Sequence, residues 1–240
     1  MKQLNPDSAL AAMHDGNVVR HRPIMAGYNS TFLVELVCKG EAPCLGVYKP
    51  SRGETPLWDF PANTLYIREH LAWVVSAALG WNLVPPTIIR DGPYGVGSVQ
   101  LFVYAEQGRH YFNLVDEHKD DMVRMAVLDV LINNADRKSG HVLKDGTGGI
   151  WGIDHGLSFS AQNKLRTVMW DIEDEPITEA VKDDLLSASE NKALKVSVVR
   201  YLAPNEVDAF YKRCTRLTSS TTLPLRAFAD AWRPYPWPTI

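Results

Sequence analysis

Two acidic residues on either side of a glycine-rich stretch constrain this 240-residue chain more than any other feature of its sequence. Asp136 is followed five residues later by His141, and Asp154 lies thirteen residues further on. The residues between them include a Gly-rich turn over Lys144 to Gly149, flanked by apolar pairs, which predicts a β-hairpin. Because a hairpin brings the chain back on itself, we expect Asp154 to lie near Asp136.

The spacing of these three residues matches the requirements of phosphoryl transfer. One carboxylate orients the attacking hydroxyl group, while a second carboxylate and a nearby side chain hold the divalent metal that bridges the nucleotide phosphates. In protein kinases the metal-binding Asn follows the base by five residues, and the metal-binding Asp lies in an Asp-x-Gly turn further on. The sequence therefore predicts Asp136 as the base, with His141 and Asp154 as the metal ligands.

Several segments resemble one branch of the kinases. Asn134 to His141 and Ile153 to Gly156 are similar to the catalytic and metal loops of the phosphoinositide-kinase and HipA-type branch of the kinase-like superfamily. A closer resemblance is to a family of actinobacterial and chloroflexal proteins related to phosphatidylinositol 3- and 4-kinases. The segments that carry it are Val47 to Pro50, Pro56 to Pro61, Asn133 to His141 and Lys164 to Thr167.

The resemblance implies an α+β, two-lobed protein-kinase-like fold of the phosphatidylinositol 3-/4-kinase type, with a small β-rich N-terminal lobe and a helical C-terminal lobe. We expect a nucleotide-binding lobe over residues 1–104 and a catalytic lobe over residues 105–240. The resemblance also implies ATP as the phosphoryl donor and Mg²⁺ or Mn²⁺ as the cofactor. It does not identify the acceptor, because function depends on the site and not on the fold. We expect a protein or a soluble small molecule.

Lys49 is the residue expected to contact the nucleotide phosphates. Alternating apolar residues predict paired strands over 31–38 and 44–49, and Pro50 ends the second strand directly after Lys49. A helix predicted from about residue 64 to residue 79 places Glu69 beside its apolar stripe, within reach of Lys49. In kinases such a pair directs the ammonium group to the phosphates. For both residues the alternative is a solvated surface side chain or a local ion pair.

Further nucleotide contacts are expected in a turn that leads into the strand over 31–38 and in the segment that crosses between the lobes. The full set is Gly27, Asn29, Ser30, Thr31, Lys49, Phe102, Val103 and Tyr104. In the turn, a glycine allows close backbone approach and the polar residues offer donors to phosphate oxygens. An ordinary β-turn is the alternative there. The crossing segment is assigned by analogy with kinases, where backbone groups read the adenine edge.

His141 departs from the kinase pattern, because related kinases carry Asn at this position. Imidazole is a ligand that Mn²⁺ accepts more readily than Mg²⁺. The substitution therefore indicates either a shifted metal preference or impaired metal binding, and it leaves two alternatives open. One is a pseudokinase that binds nucleotide as a scaffold. The other is a metal-dependent hydrolase that uses Asp136, His141, Asp154 and His155 as ligands, although this alternative leaves Lys49 and Glu69 unexplained.

Composition argues against several other classes of protein. The formal net charge is −3 and no long Lys/Arg run occurs, which argues against a nucleic-acid binder. Cys38, Cys44 and Cys214 show no CxxC spacing, so neither a disulfide framework nor a zinc ribbon is predicted. No stretch approaches 18 apolar residues, and the first residues lack the apolar region of a secretion signal. We therefore expect a cytoplasmic protein without a membrane span.

The last third of the sequence is predicted to be helical. Helices are expected over 178–188, 192–201, 205–216 and 224–232, with Thr178, Asn191 and Asn205 as N-caps. The proline-rich residues 233–238 cannot continue a helix, so we expect them to lie along the surface or to bind a partner in an extended conformation. Lys164 and Arg166 are expected to hold an acidic substrate, to dock their own loop or to stay solvated.

Overall fold

The protein combines a five-stranded and a two-stranded antiparallel sheet with a helical region, and its computed structural model describes residues 6–24, 29–38 and 42–239. The described residues form the strands β1 (Asn17–Ile24), β2 (Thr31–Val37), β3 (Cys44–Pro50), β4 (Thr87–Gly92), β5 (Gly95–Leu101), β6 (Val142–Lys144) and β7 (Ile150–Gly152). They also form the helices α1 (Pro6–Asp15), α2 (Leu65–Ala78), α3 (Tyr111–Leu114), α4 (Lys119–Ile132), α5 (Glu179–Glu190), α6 (Lys192–Tyr201), α7 (Pro204–Thr218) and α8 (Leu225–Phe228). The mixed α+β class predicted from the sequence is confirmed.

The first five strands form one sheet in the order β1-β2-β3-β5-β4, with every neighbouring pair antiparallel. Strand β3 alternates between buried residues, such as Tyr48, and half-buried residues, such as Lys49. Successive side chains of a strand point to opposite faces, so Lys49 lies on the face of the sheet opposite Tyr48. The predicted pairing of β2 with β3 is confirmed.

Residues 91–97 contain three glycines and look like a turn in the sequence. In the structure β4 and β5 extend into this segment, and Gly92 pairs with Gly95. A Cβ atom on Gly92 would lie 2.6 Å from the Tyr48 ring, and one on Gly97 would lie 2.8 Å from the same ring. These glycines therefore allow an aromatic ring to pack against the strands, although in the sequence they look like turn residues.

The chain divides into two compact units. The first contains the residues up to His70 together with Pro85–Val103, and the second contains Leu71–Val84 together with the residues from Tyr104 onward. The first unit consists mainly of the five-stranded sheet and α1, whose Ala9, Ala12 and Met13 are fully buried. The expected division into a nucleotide-binding lobe and a catalytic lobe stays a prediction.

The second unit has an apolar core built around α4. This helix buries nine of its fourteen residues. Residues of α2, α5 and α7 contribute to the same core, including Leu71, Leu185 and Phe210. The predicted hairpin after the candidate catalytic loop is formed by β6 and β7, which pair in antiparallel register. A helix buried on nearly all sides is a rigid support for the loop that follows it.

The C-terminal helices agree with the sequence except at two places. Thr178 and Asn191 are N-caps, accepting hydrogen bonds from the amides of Val181 (3.3 Å) and Leu194 (3.0 Å). Asn205 is not a cap, because α7 begins at Pro204 and the Ala203 amide donates to the Glu206 carboxylate at 3.1 Å.

Helix α8 is much shorter than expected. It ends at Phe228, and the next residue, Ala229, forms a parallel bridge with Leu165. Backbone pairing thus replaces helical bonds at this point. Among the described residues, no helix combines the length and the apolar character that a membrane crossing requires.

Candidate catalytic and metal site

The loop that carries the candidate base begins where α4 ends. Asn133 is the C-cap and adopts a left-handed conformation, with φ of 54°. Its side-chain amide donates to the carbonyl oxygens of Ser160 (2.8 Å) and Gln162 (2.6 Å), and its Oδ1 accepts from the Lys164 amide at 2.9 Å. The start of the loop is therefore tied to the segment over residues 160–164.

A buried guanidinium group holds the rest of the loop. Arg137 is fully buried and donates to both carboxylate oxygens of Asp129, at 2.7 and 2.8 Å. Its Nη1 donates to the carbonyl oxygens of His141 and Ile153, each at 3.2 Å. Its Nη2 lies 2.7 Å from Nε2 of His155. Since arginine can only donate, His155 Nε2 is the acceptor and carries no proton. One side chain thus joins the loop to the segment that carries Asp154.

Asp136, His141 and Asp154 are brought together. Each offers a ligand atom, and these atoms all lie within 4.8 Å of one another. All three residues are partly buried, and the Asp154 side chain is 46% exposed. The spacing of the three residues in the sequence therefore correctly predicts their proximity, whereas their roles stay predictions.

The tautomer of His141 leaves one ring nitrogen available as a ligand. Its Nδ1 lies 3.0 Å from the carbonyl oxygen of Asp136, which can only accept a hydrogen bond. Nδ1 therefore carries the proton in the neutral ring, and the lone pair is on Nε2, which lies 3.4 Å from Asp154 Oδ2. A backbone carbonyl that orients a ligating imidazole in this way is usual in metal sites. The imidazole nitrogen of His141 and the carboxylate of Asp154 are donors that fit Mn²⁺ and, less well, Mg²⁺.

The Asp136 carboxyl is in an environment that suits a base near neutral pH. Burial raises the pKa of this carboxyl to about 6, against the opposing effect of the Lys138 ammonium group. Lys138 Nζ lies 3.0 Å from Asp136 Oδ2. The Asp136 amide donates to Asn134 Oδ1 at 3.0 Å, which helps to fix the direction of the residue. A carboxyl with a raised pKa is a better proton acceptor than an exposed one.

Within the first unit, Lys49 and Glu69 form the expected pair. Lys49 Nζ donates to Glu69 Oε1, and the two side chains are 24% and 4% exposed. Lys49 comes from β3 and Glu69 from the first half of α2. A carboxylate this deeply buried needs a partner, so the pair has a structural role whatever else it does.

The expected nucleotide contacts have different surroundings. Gly27 lies outside the described residues. Asn29 Oδ1 accepts from the Thr55 amide at 2.7 Å, and the Ser30 amide donates to the Gly53 carbonyl at 3.0 Å. Thr31 Oγ1 donates to the Asn29 carbonyl at 3.4 Å. The polar turn is thus bound to the segment over residues 53–55.

The segment expected to read the adenine edge follows β5. The Phe102 amide donates to the Leu45 carbonyl at 3.0 Å, and Tyr104 is 47% exposed. Phe102 and Val103 belong to the first compact unit, while Tyr104 begins a stretch of the second. The contacts of these three residues with a nucleotide stay predictions.

Arg166, one of the two basic residues considered as substrate contacts, pairs with a carboxylate of the protein. Its Nη2 and Nε lie 2.7 and 3.1 Å from Asp230 Oδ2. Lys164 is 7% exposed. The alternative in which these residues dock their own loop therefore describes Arg166 best.

Comparison with known proteins places the chain in a family. No protein-family model matches it. Protein Rv2133c of Mycobacterium tuberculosis (strain ATCC 25618 / H37Rv) is 38% identical over 271 residues, covering 98% of this chain and 96% of the relative. The chain belongs to the Rv2133c family.

Solved structures show the fold of this family member to be kinase-like. The Golgi casein kinase with Mn/ADP bound matches with a TM-score of 0.56 at 16% identity, covering 89% of this chain and 74% of that one. The Helicobacter pylori proinflammatory kinase CtkA matches with a TM-score of 0.52 at 13% identity, covering 86% and 93%. At such identities the likeness concerns the fold alone.

The side chains that support the site in this Rv2133c family member were not predicted from the sequence. Asp129 is the one charged residue in the buried stretch of α4 from Met125 to Ile132, and an isolated carboxylate among apolar residues requires a buried partner. That signal was available, but it does not identify Arg137 as the partner. His155, assigned to the ligands of the hydrolase alternative, bonds to Arg137 instead.

Removing the Asp129 carboxylate is expected to destabilise the protein strongly. Asp129→Ala leaves the buried Arg137 charge without its carboxylate, which costs about 3–5 kcal/mol. The control is Asp208→Ala, since Asp208 pairs with Lys212 at 2.8 Å while both side chains are largely exposed. The control should change the free energy of unfolding by at most about 1 kcal/mol. Urea denaturation measures both values, and equal losses would contradict a supporting role for the buried pair.

Proposed function

We propose that this member of the Rv2133c family is an ATP-dependent kinase that transfers a phosphoryl group to a hydroxyl group. The observation that carries the proposal is the grouping of Asp136, His141 and Asp154, with their ligand atoms within 4.8 Å of one another. The kinase-like fold supports it. One of the matched structures, that of the Golgi casein kinase, holds Mn and ADP. A nucleotide and a divalent ion are therefore the ligands to test first.

In this proposal the second unit supplies the base and the metal ligands. His141, through Nε2, and Asp154, through its carboxylate, would hold a Mn²⁺ or Mg²⁺ ion, which would neutralise charge on the nucleotide phosphates. Asp136 accepts a hydrogen bond from the acceptor hydroxyl group and orients its oxygen for attack. Its raised pKa supports this assignment. Lys138 balances the charge of Asp136 at 3.0 Å.

Lys49 is proposed to bind the nucleotide phosphates through its ammonium group, with Glu69 fixing the position of that group. The other proposed nucleotide contacts are Gly27, Asn29, Ser30, Thr31, Phe102, Val103 and Tyr104. Residues 1–104 would then act as the nucleotide-binding lobe and residues 105–240 as the catalytic lobe, as in the phosphatidylinositol 3-/4-kinase branch. We propose a cytoplasmic protein or soluble small molecule as the acceptor.

His141 favours a second candidate function, a pseudokinase that binds nucleotide as a scaffold. An imidazole in place of the usual amide changes the donor atom presented to a metal from oxygen to nitrogen. Binding of ATP with a metal but without any phosphotransfer would support this candidate. The hydrolase alternative has less support, because His155 is fully buried and bonded to Arg137.

The first prediction for this function concerns Asp154. Asp154→Asn keeps the shape of the side chain but removes its charge, so the metal-dependent part of ATP affinity should fall by at least about tenfold. Calorimetric titration of ATP with and without Mn²⁺ measures this. Asp183→Asn, a change at an exposed position of α5, is the control and should match the wild type. ATP affinity that is independent of metal in the wild type would refute the assignment.

The second prediction separates the structural role of Lys49 from its role toward the nucleotide. Lys49→Met removes a charge-assisted hydrogen bond to phosphate, worth about 1.5–3 kcal/mol of binding free energy. Adding Glu69→Gln removes the unpaired buried carboxylate and should restore much of the lost stability, but not the ATP affinity. Lys212→Met serves as the control for loss of an exposed lysine. If the double variant binds ATP like the wild type, Lys49 has no nucleotide role.

The third prediction concerns metal preference. His141→Asn replaces a nitrogen ligand by an oxygen ligand, so the preference for Mn²⁺ over Mg²⁺ should decrease. The ratio of the two metal affinities, measured in the presence of ATP, is compared between the wild type and the variant. An unchanged ratio would show that His141 is not a ligand.

A further inference from the structure

The residues after α8 lie along the segments that carry the candidate site. Ala229 forms a parallel bridge with Leu165, and the Asp230 amide donates to the Leu165 carbonyl at 3.0 Å. At the other end, the Thr239 carbonyl accepts from the Ser139 amide at 2.9 Å. We call residues 229–239 the C-terminal strap. The sequence alone predicts only that the proline-rich part of this segment lies along the protein surface or binds a partner.

Residues 166–168 lie between the strap and the candidate catalytic loop. On one side, the Arg137 amide donates to the Arg166 carbonyl at 3.0 Å, and the Val168 amide donates to the Arg137 carbonyl at 3.2 Å. On the other side, the Thr167 amide donates to the Pro234 carbonyl at 3.0 Å. Each edge of this short segment is therefore bonded, one to the loop and one to the strap.

Asp230 fixes the strap at its start. Its Oδ2 accepts two hydrogen bonds from the Arg166 guanidinium group, and its Oδ1 accepts from the amides of Trp232 and Arg233, both at 3.0 Å. One carboxylate thus holds the turn of the strap and attaches it to residue 166. A paired carboxylate that also caps two amides is a strong local constraint.

The strap also contacts the loop directly at Ser139, which is fully buried. Ser139 begins the single 3-10 turn Ser139–His141, whose last residue is the proposed metal ligand. A buried amide requires an acceptor, and the Thr239 carbonyl supplies it. The His141 carbonyl in turn accepts from the Ile153 amide at 2.9 Å, one residue before Asp154. The position of this turn therefore bears on both proposed ligands.

The strap is held mainly by its backbone and by Asp230. Trp232 and Trp237 are 92% and 79% exposed, so their rings bury little apolar surface. Pro236 is buried. Segments with few buried apolar contacts open locally at a lower free-energy cost than a packed core.

We propose that the C-terminal strap is a positioning element for the metal site, with Asp230 and Thr239 as positioning residues that act through residues 166–168 and Ser139. When the strap is docked, the Ser139–His141 turn presents the imidazole in ligating position. The proposal rests on the proposed function only in that His141 binds a metal.

The first test is the affinity of the intact chain for Mn²⁺. Asp230→Ala should weaken Mn²⁺ binding by about 10- to 100-fold, the usual effect of losing a group that orients a ligand. Thermal unfolding is followed in parallel, and the midpoint should change little. Trp232→Ala alters an exposed side chain of the same strap and should bind Mn²⁺ like the wild type. Wild-type Mn²⁺ affinity in a folded Asp230→Ala variant would overturn the proposal.

The second test follows amide hydrogen exchange in the absence of metal. Asp230→Ala, and a deletion of residues 233–240, should both speed exchange at the Ser139 amide and also at the Ile153 amide, which donates to the His141 carbonyl and not to the strap. Faster exchange at Ser139 alone would mean that the strap is only a contact, and would overturn the proposal. If the deletion variant does not fold, Asp230→Ala decides. A wild type that binds no Mn²⁺ would refute the proposed function, while hydrogen exchange would still test the strap.

Discussion

The candidate site depends on the hydrogen bonds of the Arg137 guanidinium group. An arginine has five N–H donors, and all five are used here, on two carboxylate oxygens, two backbone carbonyls and one imidazole nitrogen. A lysine could not satisfy this set, since it has three donors and no planar fork. The Arg137 guanidinium group therefore holds the candidate catalytic loop, the residues after the hairpin and the buried helix α4 in a fixed arrangement.

The residues that support the loop differ from the residues proposed to carry out the chemistry. The buried pair of Arg137 and Asp129 fixes the backbone, while the three candidate site residues keep partial exposure to solvent. Charged side chains that bind ions or nucleotides need access to solvent. The hydrogen-bonded ion pair that orients them is electrostatically stronger in a low-dielectric interior. His141 belongs to both parts, because its carbonyl oxygen bonds to Arg137 and its ring faces Asp154.

The sequence predicts the local parts of this structure well and the long-range parts poorly. Alternation in β2 and β3 predicts their pairing, and the glycine-rich turn predicts the hairpin that brings Asp154 near Asp136. The shortened helix α8 was not predictable, because a backbone bridge to Leu165, far away in sequence, replaces its last turns. The glycines around β4 and β5 look like turn residues in the sequence for a similar reason. They are needed because the ring of Tyr48, on another strand, packs against them. The role of Arg137 could not be predicted from the sequence, because its five acceptors are distributed over residues 129–155.

The backbone of Asp154 limits which acidic residue this position can accept. Its φ is 61°, in the left-handed region, where aspartate and asparagine are tolerated far better than other residues with a Cβ atom. Glutamate has the same charge, but it would have to adopt a disfavoured backbone and would place its carboxylate one methylene further from that backbone. Replacing aspartate by glutamate is nearly neutral at many surface positions, but here it is restricted both by the backbone conformation and by the length of the side chain. A longer acidic side chain at this turn would first require a different backbone.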